Sequence, residues 1–332
     1  MTTHAASAKK YSMIDERDVM VPMRDGVSLA VDVFRPDDDE KFPVLLGMSP
    51  YGKGIQSLSI PIQPDRSPIH HTPTEAGNPE YFTARGYVHI IADVRGTGIS
   101  EGEYLGWMSK QEAEDGYDLV EWAAAQPWCD GNVGMVGISY FGTIQLPVAA
   151  EQPPHLKAIM PWNAPADFYR ESTHHGGILQ SFFHYLYVQR ICADRSTSVT
   201  VKNSSDQELK GIMDALKADP DLRINPEFFT FADSPGKAPC FFDILAHPLD
   251  GPYYWERSPR TFYDRIKIPT WARSGWWAYA HMHLVGAFHN YLGIDAPKKL
   301  EIDAPVVEMR PLSDEYCEEV LRWYDYWLKG ID

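Results

Sequence analysis

The sequence predicts an α/β protein built on a mostly parallel central sheet with helices on both faces. Three observations carry that expectation: short apolar runs recur along the chain, helical patterns separate them, and the connections are long enough for crossovers. At 332 residues the chain is long enough for about two domains, or one large domain with an insertion.

The elements follow in order. Residues 28–34 (SLAVDVF) alternate after the turn signal Asp25-Gly26, and FPVLLGMS at 42–49 is a continuous apolar run closed by Pro50, so both read as strands. The stretch 51–80, rich in Pro, Ser, His and Gly, is too polar for a core element. YVHIIAD at 87–93 is a buried strand, and RGTGISEG after it is an exposed loop. From Lys110 to Ala125, Ala113, Gly116, Tyr117, Val120 and Ala124 recur at helical spacing behind the acidic start Glu112, Glu114 and Asp115. NVGMVGIS at 132–139 is a strand running into a helix over 140–151, and KAIMPW at 157–162 is another strand. Between about 165 and 265 the rhythm breaks, with aromatics clustered at Phe182, Phe183, Tyr185 and Tyr187, which reads as an inserted cap. The rhythm resumes with a strand at 268–275, a helix across 280–292 and a short strand at Lys299 to Asp303. A closing helix carries Cys317, Val320, Leu321, Tyr324, Trp327 and Leu328 on one face.

Composition narrows the function. Lys and Arg number 30 against 46 Asp and Glu, a net charge of −16, and no basic stripe offsets it, so no nucleic-acid partner is expected. The start, MTTHAASAKKYSMIDERD, lacks the apolar run of a secretory signal, and no stretch approaches the length of a membrane span. The expectation is a cytoplasmic protein without membrane contact. The four cysteines, Cys129, Cys192, Cys240 and Cys317, lie far apart with no CxxC pair, so they read as reduced thiols. His70-His71 and His174-His175 lack supporting carboxylate spacing, and neither a metal nor another cofactor is expected.

The stretch most informative for chemistry is Gly137-Ile138-Ser139-Tyr140-Phe141-Gly142, between a predicted strand and a predicted helix. A sharp strand-to-helix turn needs small residues around a serine if backbones are to approach closely while Oγ projects above the sheet edge. Gly137 and Gly142 meet that need, the Tyr140 N–H is the natural first oxyanion donor, and Ser139 is the candidate nucleophile. The alternative is a serine that merely caps the helix.

Several long segments resemble one family, the cocaine esterase-like and Xaa-Pro dipeptidyl-peptidase group of α/β-hydrolases. They are VPMRDGVSLAVDVFRP (21–36), FPVLLGMSPYGKG (42–54), ADVRGTGISEGEY (92–104), the run EAEDGYDLVEWAAAQPWCDGNVGMVGISYFG (112–142), YYWERSP (253–259) and LRWYDYWLKGID (321–332). The resemblance implies an α/β-hydrolase core at 1–164 and 266–332 with a helical cap at 165–265. It implies a serine hydrolase cleaving a small-molecule ester or amide through an acyl-enzyme on Ser139. Tyr140 would give the backbone oxyanion donor and Tyr51 the phenolic one, since a phenol stays protonated at neutral pH. Asp93, Arg95 and Asp115 also match and read as a buried Arg–carboxylate arrangement fixing the loop after a strand.

Two departures temper this. The family's acid and histidine positions hold Ala278 and Val307, and a serine hydroxyl without a base is a weak nucleophile. One expectation is a rearranged relay in which His281 or His283 serves Ser139, oriented by an acid such as Asp303 from the later loop. The other is a weakly active or non-catalytic small-molecule binder on a degenerate hydrolase scaffold. Relatives also continue into a β-rich jelly-roll domain where this chain stops, so an exposed apolar face favouring a homo-oligomer or a partner subunit is expected.

Overall fold

The computed structural model describes residues 6–58, 75–180, 195–224, 226–276, 282–303 and 314–332. Ten strands run in chain order through it: β1 (Met13–Pro22), β2 (Ser28–Pro36), β3 (Phe42–Ser49), β4 (Val88–Asp93) and β5 (Cys129–Met135). There follow β6 (Leu156–Ile159), β7 (His174–His175), β8 (Ile178–Leu179), β9 (Thr270–Gly275) and β10 (Lys298–Asp303). Eight form the main sheet in the order β1-β2-β4-β3-β5-β6-β9-β10, and β7 and β8 make a separate hairpin. From β4 to β10 every pairing is parallel, whereas β1–β2 and β2–β4 are antiparallel. Every residue of β3 and β4 is buried, as expected of strands covered on both faces.

The edge strand β1 is absent from the expectations above. Its sequence, MIDERDVMVP, is charged and mostly exposed, and its pairing with β2 shifts register between Glu16 and Val19. Charges and a bulge are the devices by which an exposed edge resists pairing with another chain, and they hide its period-two pattern.

The helices that position the site are α1 (Lys53–Gln56), α2 (Pro79–Thr83), α3 (Lys110–Ala124), α4 (Tyr140–Thr143), α5 (Gln145–Ala150), α6 (His283–Gly293) and α7 (Asp314–Tyr324). A capping box between Ser109 and Glu112 starts α3. On α7 and the π turn after it, Tyr316, Val320, Leu321, Tyr324 and Leu328 pack with Leu45, Val136 and Trp271, so the closing helix buries the face its spacing predicted. Between β6 and β9 the described residues form a π turn (Phe168–Thr173), the β7–β8 hairpin and further helices, among them Asp206–Ala218 and Pro239–Ala246. The aromatic group at 182–187 lies outside the described residues. Among the described residues no helix is long and apolar enough to cross a membrane.

Candidate active site

The site is built where β5 runs off the sheet. Past Met135 the chain stays tied to its neighbours: Val136 N donates to Leu46 O at 3.0 Å, Ile138 N to Glu75 O at 3.0 Å, and Ser139 N to Trp162 O at 2.9 Å. These bonds force a sharp turn, and Ser139 takes φ 59°, ψ −113° before α4 begins. A side chain is costly at such dihedrals, about 1–3 kcal/mol, and such strain persists only where the surroundings over-determine it. Ser139 is half-buried, and its hydroxyl makes no capping bond to α4. The capping alternative therefore does not hold.

Two glycines permit this turn. A Cβ on Gly142 would lie 2.2 Å from Trp162 O, and one on Gly137, where φ is +127°, would lie 2.4 Å from Phe141 Cβ. The backbone at the elbow thus approaches its neighbours more closely than any side chain allows.

Both residues expected to supply oxyanion donors lie at this corner. The Tyr140 N–H occupies the first position of α4, where no intrahelical acceptor exists. Tyr51, half-buried in the turn after β3, sets its ring edge-on to Tyr140 at 5.8 Å and to Phe141 at 6.1 Å. The Tyr51 turn is itself anchored: Tyr51 N donates to Ser49 Oγ at 3.1 Å and Lys53 N to Asp93 Oδ1 at 2.6 Å. The buried Lys53 ammonium reaches Asp32 at 2.8 Å and also pairs with Asp18. Arg95 grips Asp115 with two bonds, 2.9 and 2.6 Å, and reaches Asp25 at 2.8 Å. Asp93, Arg95 and Asp115 are thus framework of the loop after β4.

The Tyr140 side chain faces the interior. Its hydroxyl donates to Glu112 Oε1 at 2.5 Å and lies 3.1 Å from the Tyr104 hydroxyl, with all three side chains buried. Burial pushes the Glu112 carboxyl up to about 8. Sequence reading marked Glu112 only as an acidic helix start.

The residues proposed to complete a relay fare differently. His283 opens α6 and is buried. The Asp303 carboxylate accepts from Arg273 Nε at 2.9 Å and Nη2 at 3.3 Å. Arg273 is fully buried among the rings of Trp162, Trp271 and Tyr316 and also pairs with Glu301 and Glu319. A guanidinium in that setting needs carboxylates, which is why Asp303 turns to it. An Arg inside the apolar run PTWARSG, with Glu301 and Asp303 alternating in the next strand, was the overlooked signal; Arg273 and Glu301 are register partners. His281, Ala278 and Val307 lie outside the described residues, as do His70 and His71. His174 stacks on Tyr169 at 4.6 Å, with its imidazole pulled down to about 4 by burial, and His175 Nε2 lies 3.2 Å from Glu171 O. His289 Nδ1 meets Glu171 Oε1 at 2.5 Å.

A strained serine at the exit of a central parallel strand, running straight into a helix N-terminus, is the geometry of a hydrolase elbow. Residues 25–313 match the model of the X-Pro dipeptidyl-peptidase (S15) family. The chain belongs to that family. Among its relatives, the cocaine esterase of Rhodococcus sp. is 42% identical over 153 residues, covering 46% of this chain and 24% of the esterase. A Xaa-Pro dipeptidyl-peptidase of Lactobacillus helveticus is 27% identical over 201 residues, covering 46% of this chain and 25% of its own length. The crystal structure of a CocE/NonD family hydrolase from Staphylococcus aureus superposes with a TM-score of 0.72 at 29% identity, covering 96% of this chain and 51% of that one. The fold of this S15-family chain is thus that of the α/β-hydrolases. The chain spans about half the length of that solved relative and about a quarter of the two enzymes.

Proposed function

We propose that this S15-family chain hydrolyses the acyl bond of a small ester or amide, with Ser139 as nucleophile. The observation that carries the reading is the strained Ser139 backbone with its hydroxyl withheld from helix capping. In this mechanism Ser139 Oγ attacks the carbonyl carbon, and the carbonyl oxygen takes up negative charge between the Tyr140 N–H and the Tyr51 hydroxyl. The tetrahedral species collapses to an acyl-serine as the base gives the serine proton to the departing alcohol or amine, and water deprotonated by the same base then attacks the acyl-serine, releasing the acid and restoring the Ser139 hydroxyl. The base is the open position of this reading. His281 and His283 follow β9 in the sequence, and either takes the serine proton in the relay proposed here.

A second reading follows from the sequence resemblance, which puts Ala278 and Val307 at the family's acid and histidine positions and so suits a binder on a degenerate scaffold. Turnover of a p-nitrophenyl ester separates the two. The hydrolase reading expects turnover that vanishes in Ser139→Ala and falls by roughly 10²-fold in Tyr51→Phe. Equal rates for wild type and Ser139→Ala support the binder.

A further inference from the structure

We propose that Glu112 is a positioning residue for the oxyanion site, holding both donors, the Tyr140 N–H and the Tyr51 hydroxyl, in register with Ser139 through the Tyr140 ring. The proposal rests on the hydrolase reading above.

A capping box uses one carboxylate oxygen of its glutamate, and Glu112 Oε2 meets that need by accepting from Ser109 N at 3.0 Å. The other oxygen takes the Tyr140 hydroxyl at 2.5 Å. A glutamine would complete the box as well without a titratable group at 2% exposure, so the box alone does not account for a buried carboxyl here. What the second oxygen adds is a fixed end for the ring that carries the oxyanion amide. The Tyr51 ring leans edge-on against that same ring, so the second donor rests on the first. Loss of the Glu112 contact frees the Tyr140 ring to move, and both donors move with it.

The network also reaches the cap. The Tyr104 hydroxyl lies 3.1 Å from that of Tyr140, while the Tyr104 backbone bonds Arg195 O at 3.1 Å and accepts from Thr197 N at 2.9 Å. Glu112 therefore joins the start of α3, the elbow, the loop after β4 and the first described residues past the 181–194 stretch.

Charge supports the same role. Glu112 faces the hydroxyls of Tyr140 and Tyr104, the amide of Ser109, the carboxylate of Asp115 on its own helix and the buried guanidinium of Arg257. Burial pushes its pKa up to about 8, against the hydrogen bonds from Tyr140 and Ser109 and the charge of Arg257, with Asp115 adding to the rise. In its protonated form the carboxyl puts no negative charge behind the forming oxyanion. Above that value ionisation places one there.

The test is p-nitrophenyl ester hydrolysis by the full chain from about pH 6 to about pH 10, in wild type, Glu112→Leu, Glu112→Gln and Tyr140→Phe, with fluorophosphonate labelling rates alongside. Glu112→Leu and Tyr140→Phe are expected to lower kcat by about 10- to 100-fold, with KM changed less than about threefold, the scale of a misplaced reacting group. Glu112→Gln is expected to restore kcat at neutral pH and to remove an alkaline fall centred near 8. Tyr140→Phe deletes one atom and decides the matter if Glu112→Leu does not fold. Labelling of wild type with unchanged kcat in Tyr140→Phe overturns the positioning role and leaves the hydrolase reading standing. A glutamine variant as slow as the leucine variant overturns it too. If wild type itself does not label, the hydrolase reading fails and this proposal with it.

Discussion

Gly142→Ala is the sharpest probe of the elbow. The new Cβ would lie 2.2 Å from Trp162 O and 2.9 Å from Trp162 N. A carbon tolerates a carbonyl oxygen at roughly 3.3 Å, so the two backbones must part by about 1 Å. The oxygen being displaced is the one that accepts the Ser139 N–H at 2.9 Å, so the strain is delivered directly to the proposed nucleophile. Overpacking of this kind costs about 1–3 kcal/mol of stability, against a helix-propensity gain for alanine of about 1 kcal/mol. A shift of about 1 Å at a reacting group costs on the order of 10²-fold in rate. Activity is therefore expected to fall far more than stability. Gly211→Ala is the matched control: it sits exposed in the Asp206–Ala218 helix with no heavy atom within 4 Å of the new Cβ. It should gain about 0.5–1 kcal/mol and leave labelling of Ser139 unchanged. Urea unfolding and the second-order rate of fluorophosphonate labelling measure the two effects. If Gly142→Ala labels at the wild-type rate, the argument from close backbone approach is wrong.

Three further outcomes follow from the same geometry. Ser139→Gly removes the side chain from φ 59° and should raise stability by about 1 kcal/mol in urea unfolding, whereas Ser139→Ala keeps the strain and should not; equal stabilities would show the dihedral to be unstrained. Arg273→Met leaves Asp303, Glu301 and Glu319 without their shared cation and should cost about 3–5 kcal/mol, more at pH 8 than at pH 5, where carboxylates take up protons; a loss under about 1 kcal/mol contradicts the cluster's role. His89, fully buried and bonded through Nε2 to Ala76 O at 2.9 Å, has its imidazole lowered to about 4 from 6.5. The folded chain refuses a proton that the unfolded chain accepts, so stability is complete above 6.5 and declines as pH falls toward 4. Replacing His89 with Gln should flatten that decline, and an unchanged slope would discount the assignment.

The fold was legible wherever burial left a periodic trace. β3 and β4 are buried at every position, β3 reading as a continuous apolar run and β4 as one broken only by His89 and Asp93, and the closing helix showed its face through Val320, Leu321, Tyr324 and Leu328. β1 was not, because an edge strand carrying Asp15, Glu16, Arg17 and Asp18 satisfies solvent rather than a core. At the site, the candidate residues Ser139 and the Tyr140 amide stood out because a tight turn demands glycines at fixed offsets, which the sequence displays, whereas Tyr51 entered only through the resemblance to the family. What stayed hidden depends on partners distant in sequence: Glu112 and Tyr140 are 28 residues apart and meet only through packing. Asp303 shows the converse. An acid near two histidines suggested a relay, and that pattern carried no sign that a buried guanidinium 30 residues earlier also binds that acid.

The central claim is that Ser139 is an activated nucleophile, and intact-mass analysis after fluorophosphonate treatment addresses it most directly. The account predicts one adduct per chain, mapped to the peptide bearing Ser139 and lost in Ser139→Ala. A folded chain that takes up no adduct, or takes it up on another residue, contradicts it.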